Sequence, residues 1–266
     1  MSVIESGPVS DALVITWRNL KRIPRIPELA IFAVLQSIMF VLLFAYVFGG
    51  AIPLPDGGSY KEFLMPGIFV QTIAFASATT AIGIADDMGK GLIDRFRSLP
   101  MARSAVLTGR TIADVIYQAG ILVVLMIAGL VVGWRVNNGF AKFVFAVVLL
   151  LAFAYVMAWI GVWIGLSVPN TETAQQLTFV TIFPLTFISN VFVPPASLPA
   201  ILQPIAEWNP VSTLTASCRE LFGNPNPTIG TAFPSQHPIE VTIAWCIVLI
   251  AIFAPLAVRK YRNTSR

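Results

Sequence analysis

Long apolar runs separated by short polar joints dominate this chain. Six of them, at 29–48, 63–85, 112–133, 143–168, 174–193 and 240–258, carry few or no charges. Each has the roughly 20 helical residues needed to cross a hydrocarbon layer about 30 Å thick. The runs lack the two-residue alternation of strands, and a backbone in lipid must satisfy its own hydrogen bonds, so the pattern predicts six transmembrane helices. Ahead of them, residues 9–27 read as an amphipathic helix. Leu13, Ile15, Trp17, Leu20 and Ile23 give apolar surface, while Arg18, Lys21 and Arg22 give charge. Tryptophan beside basic residues suits the headgroup layer, so 1–28 is predicted to be an interfacial segment, ended by Pro24 and Pro27. A disordered basic leader is the alternative.

Polar residues inside the runs carry most of the remaining information. The second run holds a file of Gln71, Thr72, Ser77, Thr79 and Thr80, which in lipid must face other helices or a cavity. Gln71, Thr72, Ser77 and Thr79 are therefore candidates for a substrate path, with helix packing as the plainer explanation. In the fourth run Gly161 and Gly165, flanked by Trp159 and Trp163, allow close backbone approach, read here as packing within the subunit. The stretch 194–239 is rich in proline yet contains two short apolar runs on either side of Asn209-Pro210. Neither reaches the length of a span. They read as two short helices that dip into the outer leaflet and return, which is tolerable only where protein or water satisfies the broken backbone.

Charge fixes the expected orientation. The chain has 266 residues, 56% of them hydrophobic and 11% charged, with a mean hydropathy of +0.80. About 25% charged residues is usual for a soluble domain, so this is an integral membrane protein. Lys and Arg gather at one set of joints: Arg18 to Arg25, Lys90 to Arg110, and Arg259 to Arg266. Only Lys61, Arg135, Lys142 and Arg219 fall at the other. The positive-inside bias places both termini in the cytoplasm and accounts for the net charge of +4 without a nucleic-acid partner. The basic lead is too long, and no small-residue cleavage site follows, for a removable signal. Cys218 and Cys246 make no disulfide framework and read as inert thiols.

Catalytic constellations are missing. No Gly-x-x-x-x-Gly-Lys-Ser/Thr loop is present to cradle ATP phosphates. His237, the one histidine, stands in a proline-rich segment without a carboxylate or thiol cluster beside it, so no metal site is expected. Asp86-Asp87 lacks the second acidic pair that a magnesium-diphosphate site would want, and reads as the charged boundary of the second span. Asp114, just inside the third, is placed one turn from Arg110 and can pair with it.

Three groups of residues carry a family resemblance that spans almost the whole chain. The basic segment from Gly89 to Arg103 contains Arg95-Phe96-Arg97-Ser98-Leu99-Pro100-Met101-Ala102-Arg103; Phe183-Pro184-Leu185-Thr186-Phe187-Ile188-Ser189-Asn190 leads into Val193-Pro194; and Leu198-Pro199 precedes Trp208-Asn209-Pro210 and Arg219. Together these resemble the membrane subunits of ABC-2 type exporters, the daunorubicin/doxorubicin-resistance permeases related to polysaccharide and lipid export permeases. The resemblance implies one all-α transmembrane domain over 1–266, with a cytoplasmic coupling helix near 87–98 inside the segment 87–103, and re-entrant external helices between spans five and six. It implies two copies of a cytosolic ABC ATPase below and a second permease, self or sister, beside this chain. ATP and magnesium would sit on the ATPase, with no cofactor in this chain. Asp87, Lys90, Asp94, Arg95, Phe96 and Arg97 are the expected coupling residues, and Asn209, Pro210, Arg219 and Glu220 belong to the external helices. Arg219 and Glu220 are candidates for a headgroup contact or a mutual ion pair.

Spans rich in Phe, Leu and Val suit an amphipathic drug or a lipid-like substrate, and the resemblance implies that it is moved out across the plasma (inner) membrane. A stand-alone secondary carrier or channel for hydrophobic solutes is the rival class. It would call for charge rings or several intramembrane acids.

Overall fold

In the computed structural model, residues 7–22, 27–48, 54, 58–92, 103–227 and 232–263 are described. Among them the regular structure is entirely helical. The helices are α1 (Pro8–Arg22), α2 (Pro27–Leu42, continued by a π-helical turn Leu43–Phe48), α3 (Tyr60–Gly89), α4 (Arg103–Val132), α5 (Phe140–Gly165), α6 (Thr171–Phe187), α7 (Gln203–Trp208), α8 (Pro210–Phe222), α9 (Phe233–Gln236) and α10 (Pro238–Asn263). Among the described residues four helices, α3, α4, α5 and α10, are long and apolar enough to cross a membrane. The apolar stretch Val34–Val47 in α2 is shorter. α6 has 17 residues, about 25 Å at 1.5 Å per residue.

α3 is the central post. On one face it receives α5, where the Gly161 and Gly165 backbone lies directly against it. A Cβ on Gly165 would stand 2.5 Å from the Ala81 carbonyl and 2.8 Å from Ile84 Cβ, and one on Gly161 would collide with the Ser77 carbonyl. Small residues one turn apart therefore serve close packing within the subunit. Trp134 is fully buried beside this interface, edge-on to Phe69 and to Phe222 with 5.1 Å between centroids in each case.

At the end of α3 that carries Tyr60, the turn after α4 clamps α8. Phe222 accepts a hydrogen bond from Asn137 N at 2.7 Å, the Glu220 carbonyl accepts from Asn138 Nδ2 at 2.7 Å, and Trp134 Nε1 donates to Asn224 Oδ1 at 2.7 Å. α8 starts at the Asn209-Pro210 step for local reasons. Asn209 Oδ1 accepts from Val211 N at 2.9 Å, and proline occupies the first helical position, where its missing N–H costs nothing. The same Asn209 donates through Nδ2 to the Leu185 and Ile188 carbonyls at 2.7 and 3.2 Å, tying α8 to the end of α6.

At the opposite end, α1 lies across α4. Ala12, Ile15, Thr16 and Asn19 are buried, and Thr16 Oγ1 donates to the Gly109 carbonyl at 3.0 Å. Leu13, Val14 and Trp17 face outward, with Lys21 Nζ 5.2 Å from the Trp17 ring centroid.

Candidate functional site

α3 turns a second face toward α2, α4 and α6. Residues seven apart on a helix return to the same side, so Thr72 and Thr79 share a stripe with Phe75, Ala76 and Ile82. That stripe floors a cavity of about 400 Å³, with Gln36, Ser37 and Phe40 of α2 and Tyr117, Gln118 and Ile121 of α4 on one side. Gln175, Phe179, Phe183 and Phe187 of α6 stand on the other. Gln71, Thr72 and Thr79 of the predicted path line it. Ser77 does not. Five residues from Thr72 it is turned roughly 140° away, buried toward α5, its hydroxyl donating to the Ala74 carbonyl at 2.8 Å.

The lining combines amides, hydroxyls and aromatic rings. Thr72 is the polar centre: Oγ1 is 3.2 Å from Ser37 Oγ, and its carbonyl accepts from Gln118 Nε2 at 3.2 Å. Across from it, Phe179, Phe183 and Phe187 repeat every four residues and stack with centroid separations of 4.9 and 4.2 Å. Phe75 reaches toward Phe179 at 6.3 Å. Among the described residues that line it there is no Asp, Glu, Lys or Arg. Gln36, Gln118, Gln175 and the phenylalanine ladder were not anticipated from the sequence. The same argument that singled out Gln71, a polar side chain inside an apolar run, applies to the three glutamines, and the ladder's four-residue spacing is a helical signal.

Below the cavity, α3 and α4 approach the segment 93–102 through a charged corner. Arg110 donates from Nη1 to Asp87 Oδ2 at 3.2 Å and from Nε to Asp114 Oδ2 at 3.3 Å. Thr80 Oγ1 donates to the same Asp114 oxygen at 2.8 Å. The guanidinium crosses α3 where Gly83 leaves room; a Cβ there would collide with Nη2. Ile15 and Asn19 of α1 and Tyr261 of α10 close the corner. Lys90 Nζ meets Asp86 Oδ2 at 2.6 Å. Of the expected coupling residues, Asp87 and Lys90 thus stand at this corner, while Asp94, Arg95, Phe96 and Arg97 lie outside the described residues.

At the far end Arg219 departs from the sequence reading. It is fully buried while Glu220 is exposed, and no ion pair joins the two. Its Nε donates to the Phe63 carbonyl at 2.8 Å and Nη2 to the Val191 carbonyl at 3.1 Å, with the guanidinium carbon 3.6 Å from the Phe63 ring centroid. Carbonyl dipoles and the ring face take the place of a counter-ion. Both cysteines are free.

Residues 11–222 match the family model described as ABC-2 type transporter. The daunorubicin resistance ABC transporter permease protein of Streptomyces coeruleorubidus is 33% identical over 257 residues, covering 97% of this chain and 88% of that protein. A probable doxorubicin resistance ABC transporter permease protein of Mycobacterium tuberculosis is 26% identical over 262 residues, 97% of this chain and 90% of its own. A putative transport permease of Cyanophora paradoxa is 21% identical over 252 residues, 92% and 85% respectively. With several apolar helices long enough to span a bilayer and a family match over most of its length, the chain belongs to the ABC-2 type transporter family of multi-pass membrane permeases.

Proposed function

We propose that this chain is the membrane subunit of an ATP-driven exporter and that the cavity between α2, α3, α4 and α6 is its substrate path. The observation that carries the reading is the cavity itself: its described lining is uncharged and bordered by a phenylalanine ladder, with amides and hydroxyls converging on its floor. Such a lining suits an amphipathic, drug-like or lipid-like molecule, whose apolar body is buried while a few polar groups fix its orientation. The names of the relatives, daunorubicin and doxorubicin resistance permeases, point to the same class.

Energy enters from outside the chain. Two copies of a cytosolic ABC ATPase, holding ATP and magnesium, would dock on 87–103, and a second permease, self or sister, would complete the path. The Arg110–Asp87 pair joins the two helices that flank that segment, so a push on it moves α3 and α4 together. In this arrangement α2 and α6 complete a six-span bundle with both termini in the cytoplasm of the inner (plasma) membrane. α1 rests on the cytoplasmic surface with Leu13, Val14 and Trp17 in the headgroup layer, and α7 and α8 are re-entrant from outside. The Trp245 Nε1 to Trp208 carbonyl contact, 3.0 Å, supports the last point. It sets the end of α7 level with a residue about 10 Å along α10 from Pro238 at 1.5 Å per residue.

Affinity purification of the tagged chain from its own membranes tests this. A P-loop ATPase should co-purify and be lost when Arg95 and Arg97 are both changed to Glu. A chain that purifies alone and moves solute without ATP would favour the carrier class.

A further inference from the structure

We propose that Phe44, Phe187 and Phe192 form the exit gate of the cavity, and that the π-helical turn Leu43–Phe48 is its hinge. The inference rests on the cavity being the substrate path.

Three rings from three separate segments gather beside the cavity at the Tyr60 end of α3. Phe187, the last residue of α6 and part of the cavity lining, stands 5.3 Å from Phe192. Phe192 stacks on Phe44 with centroids 4.3 Å apart and planes 21° from parallel. Phe40, one turn before Phe44 and itself a lining residue, stands 6.3 Å from Phe192. A molecule leaving the cavity in this direction meets the Phe44–Phe192 stack next.

The two jambs are carried by different kinds of backbone. Phe192 is fixed on two sides: Tyr60 Oη donates to its carbonyl at 2.9 Å, and Arg219 holds the preceding Val191 carbonyl. Phe44 instead rides on a π turn, whose backbone accommodates one residue more than an α-helix would. Relaxing that turn to α geometry changes the backbone rotation per residue within it, which shifts Phe44 against Phe192 without unfolding α2. Lys61 over the Tyr46 ring at 4.5 Å links the same turn to the start of α3, so motion of α3 reaches the moving jamb directly. A stacked pair of rings can seal against apolar solutes and still part, because its attraction is modest.

The double variant Phe44→Cys/Phe192→Cys, in membranes holding the whole complex, measures the gate. Formation of the 44–192 disulfide is followed by mass spectrometry of the linked peptide, which leaves the native cysteines in place. The rate should fall about tenfold when ATP and vanadate trap the ATPase, as a closed state reduced to a minor population requires. Equal rates in both states would overturn the gate. Everted vesicles carrying the disulfide should stop accumulating doxorubicin and resume after reduction, a reversal that a misfolded variant would not show; uptake at the wild-type rate with the disulfide intact would also overturn it. If unmodified vesicles move no doxorubicin, the substrate reading fails, while the disulfide rates still decide the gate.

Discussion

Arg110 on α4 pairs with Asp87 on α3 at 3.2 Å, one helix having just led into the segment 93–102 and the other having just left it. The same guanidinium holds Asp114. Arg110 is 13% exposed and Asp87 8%, so loss of Arg110 removes a cation from between two largely desolvated carboxylates. Arg110→Met should cost about 3–5 kcal/mol and lower the detergent-phase melting temperature. Asp87→Asn, which keeps an acceptor, should cost less. Equal melting temperatures for wild type and Arg110→Met would show the corner to be ornamental.

Gly161 meets the α3 backbone with no room for a methyl group. Gly161→Ala should push α5 off α3 and destabilise by about 1–3 kcal/mol. Gly120→Ala is the control, since nothing stands within 4 Å of its Cβ position. Thermal unfolding followed by tryptophan fluorescence separates the two. A Gly161→Ala protein as stable as Gly120→Ala would mean that α3 and α5 are not in close contact.

Arg219 bridges two carbonyls and stacks on a ring, a geometry that needs a flat, forked cation. Arg219→Lys keeps the charge but loses the fork and the stack. It should weaken the α3–α8 contact by about 1–3 kcal/mol, the cost of a lost charge-assisted bond, and speed proteolysis near 190–210. Unchanged cleavage would rule out a clamping role.

Thr79 lies on the cavity floor and Val180, in the neighbouring helix, is outside the lining. Thr79→Trp should reduce doxorubicin efflux about tenfold, equivalent to about 1.4 kcal/mol of lost binding, at unchanged membrane abundance. Val180→Trp should leave efflux near wild type. The reverse order would move the substrate path elsewhere.

Much of this arrangement was legible from residue pattern alone. Apolar run length located α3, α4, α5 and α10, and the Gly161/Gly165 spacing indicated close packing. The Arg110–Asp114 pair followed from four-residue separation. Features set by distant segments were not legible. The fifth apolar run continues to Val193, yet α6 ends at Phe187, where Asn209, more than 20 residues on, takes the last carbonyls. Arg219 looked like an outward charge because its partners, Phe63 and Val191, are backbone carbonyls from far along the chain. Ser77 shared a polar file with Thr72 and Thr79 in the sequence, and helical rotation then sent it to the opposite face. The π turn has no local signature, since Leu43–Phe48 is apolar throughout.

The most direct test of the central claim is ATP-dependent accumulation of doxorubicin in everted vesicles made from cells producing this chain with its ATPase. The account predicts uptake that requires ATP hydrolysis, disappears with an inactive ATPase, and falls with Thr79→Trp. Uptake that persists without ATP or ATPase, or that is indifferent to the cavity, would contradict it.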